Sequence, residues 1–298
     1  MTGSISVIEQ TLLKSLFFIY AIGLLAYLAY VASGIKGLRS VGTFVGVLAA
    51  AVSLVDLILR GVASQRIPTA TLAEFSMMML FCLVVIYLVI DLRSLRRGVD
   101  LGLIGAMVMA VCFGLLIYLF FGLKVGHETA EQMPPVLKSY WRTIHVLSAG
   151  PGYGGVVIAF ALGLLYLIRL NLQLPEPKKG GAQSGLAARI PNAETLDRFC
   201  YLSIAFSFPF LTLLNVTGAI WAAVSWNRYW GWDAKEVWSL ITWLVYAIYL
   251  HMRLRREWSG PKLAWVAVIG LGVMLFTLLG VNYLPQFQGS LHSYASGK

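Results

Sequence analysis

Charged side chains are scarce in this sequence. Asp, Glu, Lys and Arg make up 12% of its 298 residues, against 59% hydrophobic residues. Soluble domains carry about 25% charged residues, so water is excluded as the solvent for most of this chain. Cysteine is rare as well. Cys82, Cys112 and Cys200 form no Cys-x-x-Cys pair and lie in or beside apolar runs, where a free thiol usually packs as a small hydrophobe. A redox pair within the membrane is the alternative. Strict two-residue alternation is missing from the apolar stretches, which argues against a transmembrane β-barrel. The first stretch carries Glu9 and Lys14 and lacks a small-residue cleavage site, so it is expected to be a retained span and not a signal peptide. No internal repeat is evident.

What the chain does have is long apolar runs. A transmembrane helix needs about 20 mostly apolar residues, and eight segments qualify: 9–31, 41–59, 72–91, 101–121, 141–169, 199–221, 237–256 and 263–282. The expected fold class is therefore all-α, a polytopic membrane bundle of about eight helices treated as one domain over 1–298. The net charge of +10 does not imply nucleic acid, because the links after the odd-numbered spans hold fourteen Lys and Arg residues and the opposite side holds eight. That asymmetry is the positive-inside bias. It puts both termini, and the loop after the sixth span, outside the cytoplasm. The run Leu174-Pro-Glu-Pro-Lys-Lys-Gly-Gly-Ala-Gln-Ser-Gly185 marks a flexible cytoplasmic loop, about 171–198.

That outer loop is the most distinctive part of the chain. Six of the nine tryptophans fall between Trp221 and Trp243. Trp226, Tyr229, Trp230 and Trp232 crowd one short run, with Arg228, Asp233, Lys235 and Glu236 among them and Trp238 just beyond. Indoles are common at membrane surfaces, but four large rings in seven residues exceed what anchoring needs. The pattern suits a wall for a flat, wide, apolar ligand with a few charges, such as a porphyrin. Asp233 followed by Glu236 is also a capping-box pattern at the start of the seventh span. Arg228 and Lys235 are either interfacial charges or partners for haem propionates, which a guanidinium can grip with two bonds.

Histidine is limited to His127, His145, His251 and His292. Histidine in or bordering a span is costly unless it faces a cavity or a ligand. His145 and His292 lie on the outer side, one on each side of the aromatic loop in sequence, and imidazole is a common axial ligand of haem iron. His251 follows Asp233 by 18 residues, which on a continuous helix is about 27 Å. It must belong to a separate place near the cytoplasmic face, as a second site or as a packing residue.

Taken together, Gly218-Ala-Ile-Trp-Ala222, the run from Trp226 to Trp243, and Tyr249-Leu-His-Met-Arg253 resemble the tryptophan-rich (WWD) region of the CcsA (ResC) family. These are the haem-handling subunits of the system II holocytochrome c synthase. The continuation Lys-Glu-x-Trp-Ser-Leu favours this branch over the related CcmC and CcmF proteins. The resemblance extends to Trp141-Arg-Thr-Ile-His145 and to Gly289-Ser-Leu-His-Ser-Tyr294, and more loosely to Ile67-Pro-Thr-Ala-Thr-Leu-Ala-Glu74. Two positions depart from the usual motif: Asn227 stands where glycine is common, and Ala234 where proline is common. Proline at the first helical position pre-sets its dihedral, so Ala234 is expected to loosen the helix start.

The resemblance implies that His145 and His292 ligate an external haem b beside the loop and that His251 binds haem in the membrane; His127 matches no position of the family pattern and is expected to be a loop residue. It implies a membrane partner of the CcsB (ResB) type, since this sequence holds no second inner-side histidine. It also implies apocytochrome c with a Cys-x-x-Cys-His segment as protein substrate, and thiol-reducing proteins as a further partner class. The host would be a bacterial cytoplasmic membrane or a thylakoid membrane. The activity implied is haem export and attachment by positioning, as a cytochrome c haem lyase subunit with no side chain acting as nucleophile. The rivals are a b-type haem protein moving electrons across the membrane, and a regulator of the same superfamily that binds no haem.

Overall fold

In lipid, a run of about 20 apolar residues can satisfy its backbone polar groups only as a helix, barrels aside. In a computed structural model describing residues 2–122, 138–174, 189–255, 258 and 260–283, the apolar runs fold in that way. The helices are α1 (Thr2–Ser33), α2 (Lys36–Ser64), α3 (Leu72–Leu95), α4 (Gly102–Ile117), α5 (Tyr140–Asn171), α6 (Ala193–Trp226), α7 (Ala234–Leu254) and α8 (Pro261–Leu278). A π-helical turn over Tyr118–Gly122 extends α4. Among the described residues, eight helices are long and apolar enough to cross a membrane. Most outrun the expected apolar segments at one or both ends, because helical hydrogen bonding continues past the point where hydropathy falls. The expected loop over 171–198 is shortened in this way at both ends, and its residues 175–188 lie outside the described residues.

The chain divides into two compact units, Met1–Glu131 with Ile168–Leu196, and Gln132–Leu167 with Asp197–Lys298. In the first unit, buried tyrosines pack against glycine backbone. A Cβ on Gly105 would lie 2.2 Å from the Tyr87 hydroxyl, so only glycine fits there. Ion pairs close both ends of this unit. Arg39 donates from Nη2 to Asp91 at 2.6 Å and from Nε to Asp100 at 2.8 Å. Asp100 also accepts from the Tyr30 hydroxyl and from the N–H of Gly102, the first residue of α4. Burial raises the Asp100 pKa, but the bonds from Tyr30, Arg39 and Gly102 outweigh it and hold the carboxyl below its ordinary value. Its stabilising contribution is therefore present above about pH 4 and is lost as the pH falls further.

At the other end, Glu74 forms a capping box with Thr71 and accepts from Arg60 and Arg66 at 2.8 and 2.7 Å. Arg39, Arg60, Arg142 and Arg169 are thus buried, at 7, 8, 5 and 2% exposure, although the sequence places them at or in links. Two come from each side of the charge count, so the positive-inside bias survives their removal.

Asp91 is fully buried, so stripping its partner leaves a charge with little solvent. An Arg39→Met variant is expected to lose about 3–5 kcal/mol of stability, the usual cost of breaking a buried pair from one side. The thermal transition in detergent measures it. Adding Asp91→Asn should recover much of the loss, and an unchanged transition in Arg39→Met alone would mean the pair is not a lock.

The second unit positions the aromatic loop. Its α5 and α6 run antiparallel along a seam of small residues. A Cβ on Gly155 would lie 2.1 Å from Ser207 Oγ and one on Gly152 3.2 Å from Leu211, while Cys200 Sγ donates to Ala159 O at 3.5 Å. Small residues let membrane helices approach closely where no hydrophobic force drives them together. Helix α7 is tied to α6 by Ser239 Oγ to Asn215 Oδ1 at 2.9 Å and Trp243 Nε1 to Thr212 Oγ1 at 2.8 Å. It is tied to α8 by Thr242 and Thr277, 2.8 Å apart.

Candidate functional site

The aromatic loop begins where α6 stops. Asn227 has φ 56°, in the left-handed region, and its N–H returns to Ala223 O at 2.9 Å. This is the helix-ending position that favours glycine and tolerates asparagine, which explains why Asn227 can stand where glycine is common. The loop ends at a full capping box. Asp233 accepts from Lys235 N at 2.9 Å, and Glu236 Oε2 accepts from Asp233 N at 3.2 Å and from Gly231 N at 2.7 Å. These bonds hold the start of α7, with Ala234 as its first residue. Glu236 serves the loop backbone. Arg228 lies across Gly231, where a Cβ would come within 2.7 Å of its guanidinium carbon.

Two rings of the loop stand out from the protein. Tyr229 is 67% exposed and Trp232 is 77% exposed. Trp232 has φ 57°, a conformation that costs a bulky side chain and that usually persists only where the surroundings impose it. Trp230 meets it edge-on with centroids 5.9 Å apart. Trp238 instead packs inward, 4.3 Å from the Phe276 ring, and its carbonyl accepts from Thr277.

His145 is brought to the same end by the α5–α6 seam. Its Nδ1 lies 2.8 Å from Leu214 O. A carbonyl only accepts, so Nδ1 carries the proton and the ring's lone pair is on Nε2, the nitrogen a metal would take. The Trp221 ring lies 6.0 Å from the imidazole, and Trp226 is 5.4 Å from Trp221. His145, Trp221 and Trp226 thus form one row leading to the loop. Trp221 is only 6% exposed and lies within α6, before the dense part of the loop. Its signal in the sequence is the Gly218-Ala-Ile-Trp-Ala222 run and its place about one turn and a half before Trp226.

His251 is exposed near the far end of α7. The opposite face of that turn is fixed: Tyr249 donates to Cys200 Sγ at 3.6 Å, and Arg253 pairs with Asp197 at 2.6 Å. Leu244 and Ile248, at 43 and 51% exposure, share the outward stripe with His251. His127 and His292 lie outside the described residues.

Comparison with known proteins gives this arrangement its context. The family model of the cytochrome C assembly proteins matches residues 69–288. The chain is 32% identical to a cytochrome c biogenesis protein CcsA of Guillardia theta over 284 residues, covering 92% of each chain. It is 30% identical to the CcsA of Synechococcus elongatus, covering 96% of this chain and 97% of the relative. The CcsA of Pyropia yezoensis is 29% identical over 98% of each. The chain is a multi-pass membrane protein that belongs to the cytochrome c assembly protein family, the family of these CcsA proteins of cytochrome c biogenesis.

Proposed function

We propose that this chain takes up haem b near the cytoplasmic face, carries it outward, and presents it for covalent attachment to apocytochrome c. It would act as one subunit of a holocytochrome c synthase, in a bacterial cytoplasmic membrane or a thylakoid membrane, with both termini and the aromatic loop outside the cytoplasm. The observation that carries the proposal is the row from His145 through Trp221 to Trp226, ending at a loop that exposes Tyr229 and Trp232. It offers a metal-ligating nitrogen and a wide apolar face at the same end of one unit. Arg228 and Lys235 would meet the propionates, and His292 would supply the second axial ligand.

The chemistry asks little of the protein's own side chains. Each thiol of a Cys-x-x-Cys-His segment adds across a haem vinyl group, sulfur to one carbon and hydrogen to the other, with no net redox change. Holding the vinyl edge and the thiols in register can supply a large part of the acceleration. The substrate histidine then displaces one external imidazole, and the product leaves. His251 supports a separate intake site, because an exposed imidazole on an apolar stripe of a span is costly without a partner. A CcsB/ResB-type subunit would cover that stripe and complete the site. The electron-transfer reading needs paired histidines at matching depth, and His251 has no inner-side companion in the sequence. The regulator reading needs a degraded loop, and this loop is intact.

The test is purification of the full chain with and without a ResB-type partner, reading haem by absorbance. The wild type with its partner should carry haem and support cytochrome c maturation. A His251→Ala variant should lose haem and starve maturation although His145 and the loop are untouched, and haem supplied from outside should restore it. Full haem loading and maturation in His251→Ala, with no external supply, would remove the two-site route.

A further inference from the structure

Two backbone features of α6 face His145. Leu214 contributes its carbonyl, 2.8 Å from His145 Nδ1. One turn on, Gly218 contributes the absence of a side chain: a Cβ there would lie 2.9 Å from Nδ1 and 3.1 Å from Cε1. Contacts that short force something to move. The nearest atoms are the imidazole itself, while the glycine sits on a helix clamped to α5 along the small-residue seam. The ring would have to give way, lengthening its bond to Leu214 and tilting Nε2 off its line. Trp221, three residues beyond Gly218, flanks the same ring with centroids 6.0 Å apart.

We propose that Gly218 is a positioning residue for the external haem site. Its bare backbone lets the Leu214 carbonyl hold the His145 Nδ1–H and so aim Nε2 at the iron. This rests on the reading of His145 as an axial ligand. The partner that orients a metal-bound histidine sets its tautomer, ring direction and basicity. Because that partner here is a carbonyl, no substitution at Leu214 removes it. The Thr217 hydroxyl also donates to Leu214 O, at 3.4 Å, whereas Gly218 is the position where an added side chain would meet the imidazole itself.

The experiment compares Gly218→Val and Gly218→Ala with His145→Gly and the wild type, each as the full chain in membranes. Haem per protein, the absorption spectrum and midpoint potential of the bound haem, and the response to added imidazole are read together. Gly218→Val should lose haem about 10- to 100-fold, the range found when an orienting partner of a metal ligand is removed. Imidazole should restore haem by filling the vacated axial position, as in His145→Gly. Gly218→Ala, whose added carbon meets the ring at 2.9 Å but which brings no γ carbons, should keep haem with a shifted potential.

Haem loss in Gly218→Val that tracks loss of folded protein and ignores imidazole would reduce Gly218 to packing. The alanine variant decides the matter if the valine variant does not fold, since an unchanged spectrum and potential there would overturn the proposal. If His145→Gly itself keeps its haem, the ligand reading has failed. If His145→Gly loses haem and both Gly218 variants behave as wild type, only the positioning role has failed.

Discussion

A protein carrying both His145→Ala and His292→Ala is expected to make no mature cytochrome c and to retain no haem at the outer site. His145 Nδ1 is committed to Leu214 O at 2.8 Å, so the tautomer that can bind iron through Nε2 is already selected. Removing the ring removes the proposed ligand and its orientation together. The space left would be bounded by Trp221 and by the bare backbone of Gly218, which suits free imidazole. Each single variant should therefore respond to added imidazole, read as recovered absorbance of bound haem. His292 lies outside the described residues, and its role rests on the family resemblance. Normal maturation in the double variant would overturn the assignment of both.

The second large effect concerns Trp232, and it separates stability from activity. A left-handed backbone costs a non-glycine residue roughly 1–2 kcal/mol, and Trp232 bears that cost while leaving its ring 77% exposed. Among the described residues, the edge-on contact with Trp230 leaves most of the ring open. Trp232→Gly should relieve the strain, offset in part by the added freedom of the unfolded chain. The thermal transition should hold steady or rise slightly while haem retention and cytochrome maturation collapse. Trp265, on α8 and 54% exposed, has ordinary helical surroundings, and Trp265→Phe should leave both unchanged. Equal tolerance at Trp226, Trp230, Trp232 and Trp265 would reduce the cluster to a membrane belt. A Trp232→Gly protein that unfolds early would show that the ring serves the fold.

Much of this molecule follows from its sequence alone. Eight spans follow from apolar runs, because lipid leaves the backbone no alternative to internal hydrogen bonding. The capping box at Asp233 and Glu236 follows from local spacing, since its donors and acceptors lie within three residues of one another. The aromatic loop and its four-histidine context are legible for the same reason: they are dense, local and chemically unusual. What the sequence does not show is which side of each helix meets another helix. Lipid tails are as apolar as leucine, so the buried and lipid-facing sides of a span carry similar residues, and hydropathy alone does not assign them.

For that reason Tyr249 buried and His251 exposed, two residues apart on α7, could be told apart only in the folded chain. The burial of Arg39 and Arg60 in ion pairs was hidden likewise, because their partners are 52 and 14 residues away. The aim of His145 was hidden most of all. It depends on a carbonyl 69 residues distant and on a glycine whose contribution is empty space, and only the close approach of α5 and α6 brings the three together.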